Sequence, residues 1–267
     1  MAPVLVFDIE TVPDVAGLRA IHGFDPSMTD QDVAELAFQR RRAQSGHDFL
    51  PIHLHRVVAI SCALRDSETF RIWSLGRPED DERTLVQRFF DGIEKLTPQL
   101  VSWNGGGFDL PVLHYRGMVH GALAPRYWDL GDDDRDFRYN NYIGRYHMRH
   151  VDLMDLLGLY QPRNFVPLDQ AARLMGFPGK VGMEGAGVWE AYRAGDVGPI
   201  RNYCETDVVN TYLIYLRFQR MRGVLTEMQY DFETDLVRQV LTRLGAAHWR
   251  EFLAAWPQRP AAGTSPV

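Results

Sequence analysis

The chain is predicted to fold as an α/β protein around a central sheet, and two observations predict it. Short apolar or alternating runs of strand length recur along the sequence, and longer segments between them return apolar residues every three or four positions. Val4 to Ile9 forms a first strand, since Val4-Leu5-Val6-Phe7 is an unbroken apolar run. Arg56 to Leu64 and Thr69 to Leu75 alternate apolar and polar positions, as an antiparallel pair does. Asp80 to Leu96 repeats apolar residues at helical spacing through Leu85, Val86, Phe89, Phe90 and Ile93. Gln99 to Trp103 is another strand, and Gly105-Gly106-Gly107 turns it into a helix from Phe108 to Val119, with Pro111 tolerated in the first turn. His150-Val151 ends a further strand, and Asp152 caps a helix from Leu153 to Leu159. Helices are expected at Leu168 to Met175, Val188 to Ala194, Pro199 to Met221 and Thr226 to Ala254. The tail 256–267, rich in proline and glycine with little to bury, is expected to be mobile.

Four acids and one tyrosine carry the chemistry. Asp8 and Glu10 follow the first apolar strand in VFDIET, and the period of two along a strand sends both carboxylates to one face. Asp109 stands in SWNGGGFDLPVL, just behind the glycine run that ends a strand and opens a helix. Tyr203 and Asp207 are four apart in NYCETDVVNTYL and share a helix face. Acids converging on one pocket repel one another and favour their neutral forms, unless divalent cations relieve the repulsion. Oxygen-only ligands suit Mg²⁺ or Mn²⁺ better than Zn²⁺.

FDIET, N-x-x-x-F-D and Y-x-x-x-D, in this order, resemble the three motifs of the DEDDy-type 3′–5′ exonucleases of the RNase H-like fold. Within that group the chain resembles the stand-alone, predicted exonucleases related to the proofreading domain of family-B DNA polymerases. The resemblance runs from Val4 to about Arg222 and includes NYIGRYHMRHVDLMDLL and GKVGMEGAGVWEAY. It implies a mixed sheet of about five strands flanked by helices, and two Mg²⁺ or Mn²⁺ ions. By the same resemblance Asp8 bridges both ions, Glu10 and Asp207 complete the nucleophile-side ion, Asp109 holds the second through water, and Tyr203 orients the attacking water. The implied reaction releases 5′-mononucleotides from the 3′ end of single-stranded nucleic acid, with DNA favoured over RNA. An exoribonuclease is one alternative. A non-catalytic nucleic-acid-binding module of the same fold is another, and the intact acidic set argues against it.

Composition bounds the rest. At 267 residues, 45% hydrophobic and 24% charged, the chain can bury one large core, so one catalytic domain over 1–222 with an extension at 223–255 is expected rather than two equal domains. No segment approaches the roughly 18 consecutive apolar residues of a membrane span. Val4 to Phe7 is too short for a signal-peptide core, so a cytoplasmic protein is expected. Cys62 and Cys204 lack metal-type spacing and read as reduced core thiols.

A net charge of −6 argues against a broad nucleic-acid-binding surface, though less so for a nuclease whose bound cations invert the local field. Arg135, Arg138, Arg145 and Arg149, interleaved with Phe137, Tyr139, Tyr142 and Tyr146, could track a backbone, or instead pair with Asp132-Asp133-Asp134. Asn104, Phe108, Arg138, Arg145 and Lys180 are the expected substrate contacts. An insertion at about 13–51 carries Arg40-Arg41-Arg42 and a helical period from Asp30 to Arg42, which a solvated face explains better than a lid or a backbone-binding element. The helices after Gly223 either pack on the core or build a dimer.

Overall fold

The computed structural model describes residues 3–183 and 185–257. Its elements run β1 (Val4–Pro13), α1 (Val15–His22), α2 (Asp30–Ser45), β2 (His55–Arg65), β3 (Phe70–Ser74), α3 (Glu82–Leu96), β4 (Gln99–Ser102), α4 (Asp109–His120), α5 (Pro125–Trp128), β5 (His150–Asp152), α6 (Leu153–Leu157), α7 (Leu168–Leu174), α8 (Val188–Arg193), α9 (Val197–Met221), α10 (Glu227–Leu244) and α11 (Ala247–Ala255). The five strands form one mixed sheet in the order β3-β2-β1-β4-β5. β2 runs antiparallel to both β1 and β3, and β1, β4 and β5 run parallel. This is the expected α/β, RNase H-like arrangement.

The alternation of β1 decides which side of the sheet receives Asp8 and Glu10. Leu5, Phe7 and Ile9 join one core with Phe89 and Ile93 of α3 and Leu113 of α4. Val6 points the other way, into a second core built on α9, α10 and α11. Asp8 and Glu10, in phase with Val6, therefore open on the α9 side. β1 is longer than expected, continuing to Pro13 past a register shift between Glu10 and Thr11. Bulges of this kind re-aim side chains beside sites.

α9 is buried along most of its length, with 16 of its 25 residues inaccessible. A helix that is not amphipathic must be covered on several sides, and here the sheet, α7, α10 and α11 cover it. The helices after residue 223 thus share a core with the sheet: Tyr230, Val237, Leu241, Trp249 and Phe252 are all buried there. The single helix expected from Thr226 to Ala254 is two, because Gly245 takes φ +63° and ends α10. Trp256, expected to begin a mobile tail, is buried against Phe252 and Phe177, with the Arg238 guanidinium 3.7 Å from its ring centre. The remainder of that tail, 258–267, lies outside the described residues. Among the described residues no helix is long and apolar enough to cross a membrane.

Candidate active site

Three elements bring the acids together. β1 supplies Asp8 and Glu10, the first turn of α4 supplies Asp109, and α9 supplies Asp207 with Tyr203. Asp109 is anchored across a hundred residues, its Oδ1 accepting the Ile9 backbone N–H at 3.1 Å. Carboxylate oxygens of Asp8 and Glu10 and the Cys204 sulfur lie within 4.8 Å of one another. The Cys204 thiol donates to the Asp8 carbonyl at 3.3 Å and reaches Asp8 Oδ2 at 3.5 Å.

This is an expensive arrangement for negative charge. Asp109 and Asp207 are buried, at 4% and 5% exposure. Burial, then the charges of Asp109, Glu10 and Asp207, pushes Asp8 well above the usual carboxylate range. Glu10 is raised by burial and by Asp207. Burial pushes Asp109 up to about 7 against the opposing backbone hydrogen bonds, and raises Asp207 to about 6 against the Lys180 charge. Among the described residues only Lys180 forms an ion pair with any of the four acids, its Nζ 3.8 Å from Asp207 Oδ2. Asp207 Oδ1 is buried and has no hydrogen-bond partner among the described residues. A buried carboxylate oxygen without a donor is costly unless something positive completes it. Orphaned oxygen, clustered hard donors and a deficit of positive charge together fit divalent cations of the Mg²⁺ or Mn²⁺ kind.

Lys180 also donates to the Tyr203 hydroxyl. Its loop is fixed by residues that the sequence motifs do not single out. Asn210, one turn beyond Asp207 on α9, accepts the Gly179 N–H at 3.2 Å and donates to the Gly179 carbonyl at 2.8 Å. Asp169 Oδ1 accepts the Lys180 N–H at 2.7 Å. Gly179 sits at φ +72°, and a Cβ there would lie 2.4 Å from Asp169 Oδ1, so the loop demands glycine. The spacing Tyr203, Asp207, Asn210 is i, i+4, i+7, a signal available in the sequence. Burial and the neighbouring charges of Asp207, Glu10 and Asp8 hold Tyr203 well above the ordinary tyrosine range.

Asp152 is more than a helix cap. Its Oδ1 accepts from Met154 and Asp155 at the start of α6 and from the Asn104 N–H at 2.9 Å, while Oδ2 accepts the Gly106 N–H at 2.8 Å. It thereby sets the loop that delivers Asp109. Asn104 takes a left-handed φ of 67° in that loop, and its carbonyl receives the Gly107 and Phe108 N–H groups. The Phe108 ring packs against Phe49 and His55.

Three of the four arginines between 135 and 149 have partners within the protein. Arg145 forms a two-point pair with Asp155 at 2.9 and 3.1 Å, Arg138 bonds the Gly131 carbonyl, and Arg149 lies over Phe137. Asp134 pairs with Arg126 rather than with these arginines. Phe137 and Tyr142 are buried, while Tyr139 and Tyr146 are exposed.

A family model described as a predicted 3′–5′ exonuclease related to the exonuclease domain of PolB matches residues 47–256, so Asp8 and Glu10 fall outside the matched stretch. Over 44 residues the chain is 46% identical to the catalytic polypeptide of DNA polymerase epsilon from Saccharomyces cerevisiae, a match covering 16% of this chain and 2% of the yeast protein. A family B DNA polymerase from the hyperthermophilic archaeon Pyrobaculum calidifontis aligns with 79% of this chain and 24% of its own, at 19% identity and a TM-score of 0.48. The chain spans a small part of either polymerase. With most of its length matched by the family model, the chain belongs to the family of predicted 3′–5′ exonucleases related to the exonuclease domain of PolB.

Proposed function

We propose that the protein is a divalent-cation-dependent 3′–5′ exonuclease that removes 5′-mononucleotides from the 3′ end of single-stranded nucleic acid, DNA in preference to RNA. The observation that carries this reading is the gathering of four buried or half-buried acids from β1, α4 and α9 around a single lysine, with one Asp207 oxygen left without a donor. Family membership supports the reaction class.

Asp8, Glu10, Asp109 and Asp207 would hold two Mg²⁺ or Mn²⁺ ions. When bound, such ions lower the pKa of a coordinated water and neutralise charge on the phosphate and leaving oxygen. The chain's own residues do the rest. Asp109, tied to the Ile9 N–H, fixes the distance between β1 and α4. The Tyr203 oxygen receives the Lys180 ammonium, and the phenol hydrogen-bonds toward the Asp207 carboxylate, which sets the ring's hydroxyl beside the acids. The raised pKa of the phenol keeps its proton in place, so Tyr203 orients rather than deprotonates. Lys180 balances part of the charge on Asp207 and stands where a phosphate oxygen could replace the carboxylate as its partner.

The test is product analysis on 3′-labelled and 3′-blocked single strands, DNA and RNA in parallel, with Mn²⁺ and with EDTA. Mononucleotides from the free end, metal dependence and protection by the block are expected. Full activity in excess EDTA, or equal cutting of circular and linear strands, would overturn the reading.

A further inference from the structure

The segment between β1 and β2 contains the one run of three arginines in the chain, and its members have different fates. Arg42 pairs with Asp48 at 3.2 Å. Arg41 gives its Nε to the Phe49 carbonyl at 2.9 Å. Arg40 lies over the Phe24 ring at 4.8 Å. Among the described residues neither Arg40 nor Arg41 has a carboxylate partner, and both line a cavity of about 330 Å³ with His22 and His53 over a floor that includes Leu18 and Phe24. Among the described residues no acid lines it. An acid-free pocket with two guanidinium groups lacking carboxylates is a local cluster of positive charge in a chain of net charge −6.

Two ring contacts link this segment to α4, the helix that carries Asp109. Phe49, whose carbonyl Arg41 holds, is 52% exposed, and its ring centre lies 5.4 Å from that of Phe108, the residue immediately before Asp109. Tyr115 of α4, 51% exposed, meets His53 edge-on at 6.2 Å. Exposed rings beside unpaired cations are the combination that binds single strands, the rings stacking on bases and the cations neutralising phosphates. Arg40 and Arg41 lie outside the stretch 47–256 that the family model matches.

We propose that this segment holds the backbone of a single strand 5′ to the scissile bond, with phosphate on Arg40 and Arg41 and bases against Phe49 and Tyr115. The choice of ligand rests on the nuclease reading above. Arg40 and Arg41 offer planar forks suited to phosphate oxygens. They act on the reach of the strand and leave the bond-breaking groups untouched.

The experiment measures binding of 5′-labelled dodecathymidylate by anisotropy in EDTA, across a salt series, and cleavage of a dinucleotide in Mn²⁺. For Arg40→Ala/Arg41→Ala, about tenfold weaker dodecamer binding at low salt is expected, with the logarithmic salt slope shallower by roughly 0.7 per lost phosphate contact. Dinucleotide cleavage should not change. Arg40→Glu is the second variant, because the Arg40 guanidinium rests on the Phe24 ring rather than holding a backbone group as Arg41 does, and it should weaken the dodecamer further. Unchanged dodecamer binding in both variants, or an equal loss on dinucleotide and dodecamer, would overturn the proposal. Displacement of the dodecamer by thymidine 5′-monophosphate at equal phosphate concentration, lost in Arg40→Glu, would also overturn it, reassigning the pocket to a free nucleotide. A wild-type protein with an arginine-dependent salt slope that cuts nothing in Mn²⁺ would sink the nuclease reading and leave the phosphate site standing.

Discussion

Two groups of buried or half-buried acids flank β1, and they are built to opposite rules. On the α3 and α4 side, Glu82 and Asp14 meet Arg116, all three less than 10% exposed. Glu82 accepts from Arg116 Nε at 2.7 Å, from the Val57 N–H at 2.7 Å and from His120 at 2.8 Å, and Arg116 also bonds Asp14. Every carboxylate oxygen of Glu82 has a donor. On the α9 side, four acids share one lysine and Asp207 Oδ1 has no donor among the described residues. Residue type does not separate the two groups; partner count does. The first is a finished structural network, the second is incomplete without added positive charge.

The comparison breaks most visibly by mutation. Asp8→Ala and Asp207→Asn are expected to remove nearly all turnover while leaving the metal-free melting temperature unchanged or higher, since each relieves like-charge repulsion. Glu82→Ala should do the reverse, costing about 3–5 kcal/mol of stability by stranding Arg116, with activity per folded molecule retained. Paired calorimetry and single-turnover rates check both, and a matching loss of stability in Asp207→Asn would dissolve the distinction.

Metal should sharpen it. Mn²⁺ or Mg²⁺ is expected to raise the wild-type melting temperature, by about 2.7 kcal/mol of stabilisation at a hundredfold excess over Kd. Asp207→Asn should lose most of that rise and Glu82→Gln should keep it.

The pH dependence has a definite sign. Asp109 at about 7 and Asp207 at about 6 bind protons more tightly folded than unfolded, where the carboxyl value is 3.8. Stability of the metal-free protein should therefore fall as pH rises from about 4 through 7, and saturating Mn²⁺ should flatten the fall. Denaturant midpoints at pH 5 and pH 7.5, with and without metal, measure it.

The smallest expected effect belongs to Tyr203→Phe. With a hydroxyl that only orients, turnover should drop by less than the ~10²–10⁴-fold that loss of a general base brings, with KM little changed. Stability should hold, because the ring and its packing remain. An effect as large as that of Asp207→Asn would give the phenol a greater part.

Much of this is legible in one dimension. The period of two places Asp8 and Glu10 on a common face, and the i, i+4 spacing does the same for Tyr203 and Asp207. What stays hidden depends on distant partners. Glu82 stands in the first turn of an amphipathic helix, and only α4, which returns Arg116 and His120 to it, shows that it is buried. Asn210 shares the helix stripe of Tyr203 and Asp207, but the loop thirty-one positions earlier that it clamps is not written in that spacing. Gly245 carries a readable helix stop that the periodicity around it obscures. Trp256 is held by Arg238 and Phe177, neither of which its local composition announces.

α9 carries Tyr203, Asp207 and the Asn210 clamp on one stripe, so a single rigid rod fixes the phenol, a carboxylate and the lysine loop in common register. Deleting one residue between 197 and 202 would turn that rod by about 100° relative to its start, since a turn holds 3.6 residues. The placement of all three side chains would then change together, while the same deletion in the loop after residue 221 would spare them all. For anyone transplanting this chemistry into another scaffold, the unit to move is the helix with its phase, not the individual side chains.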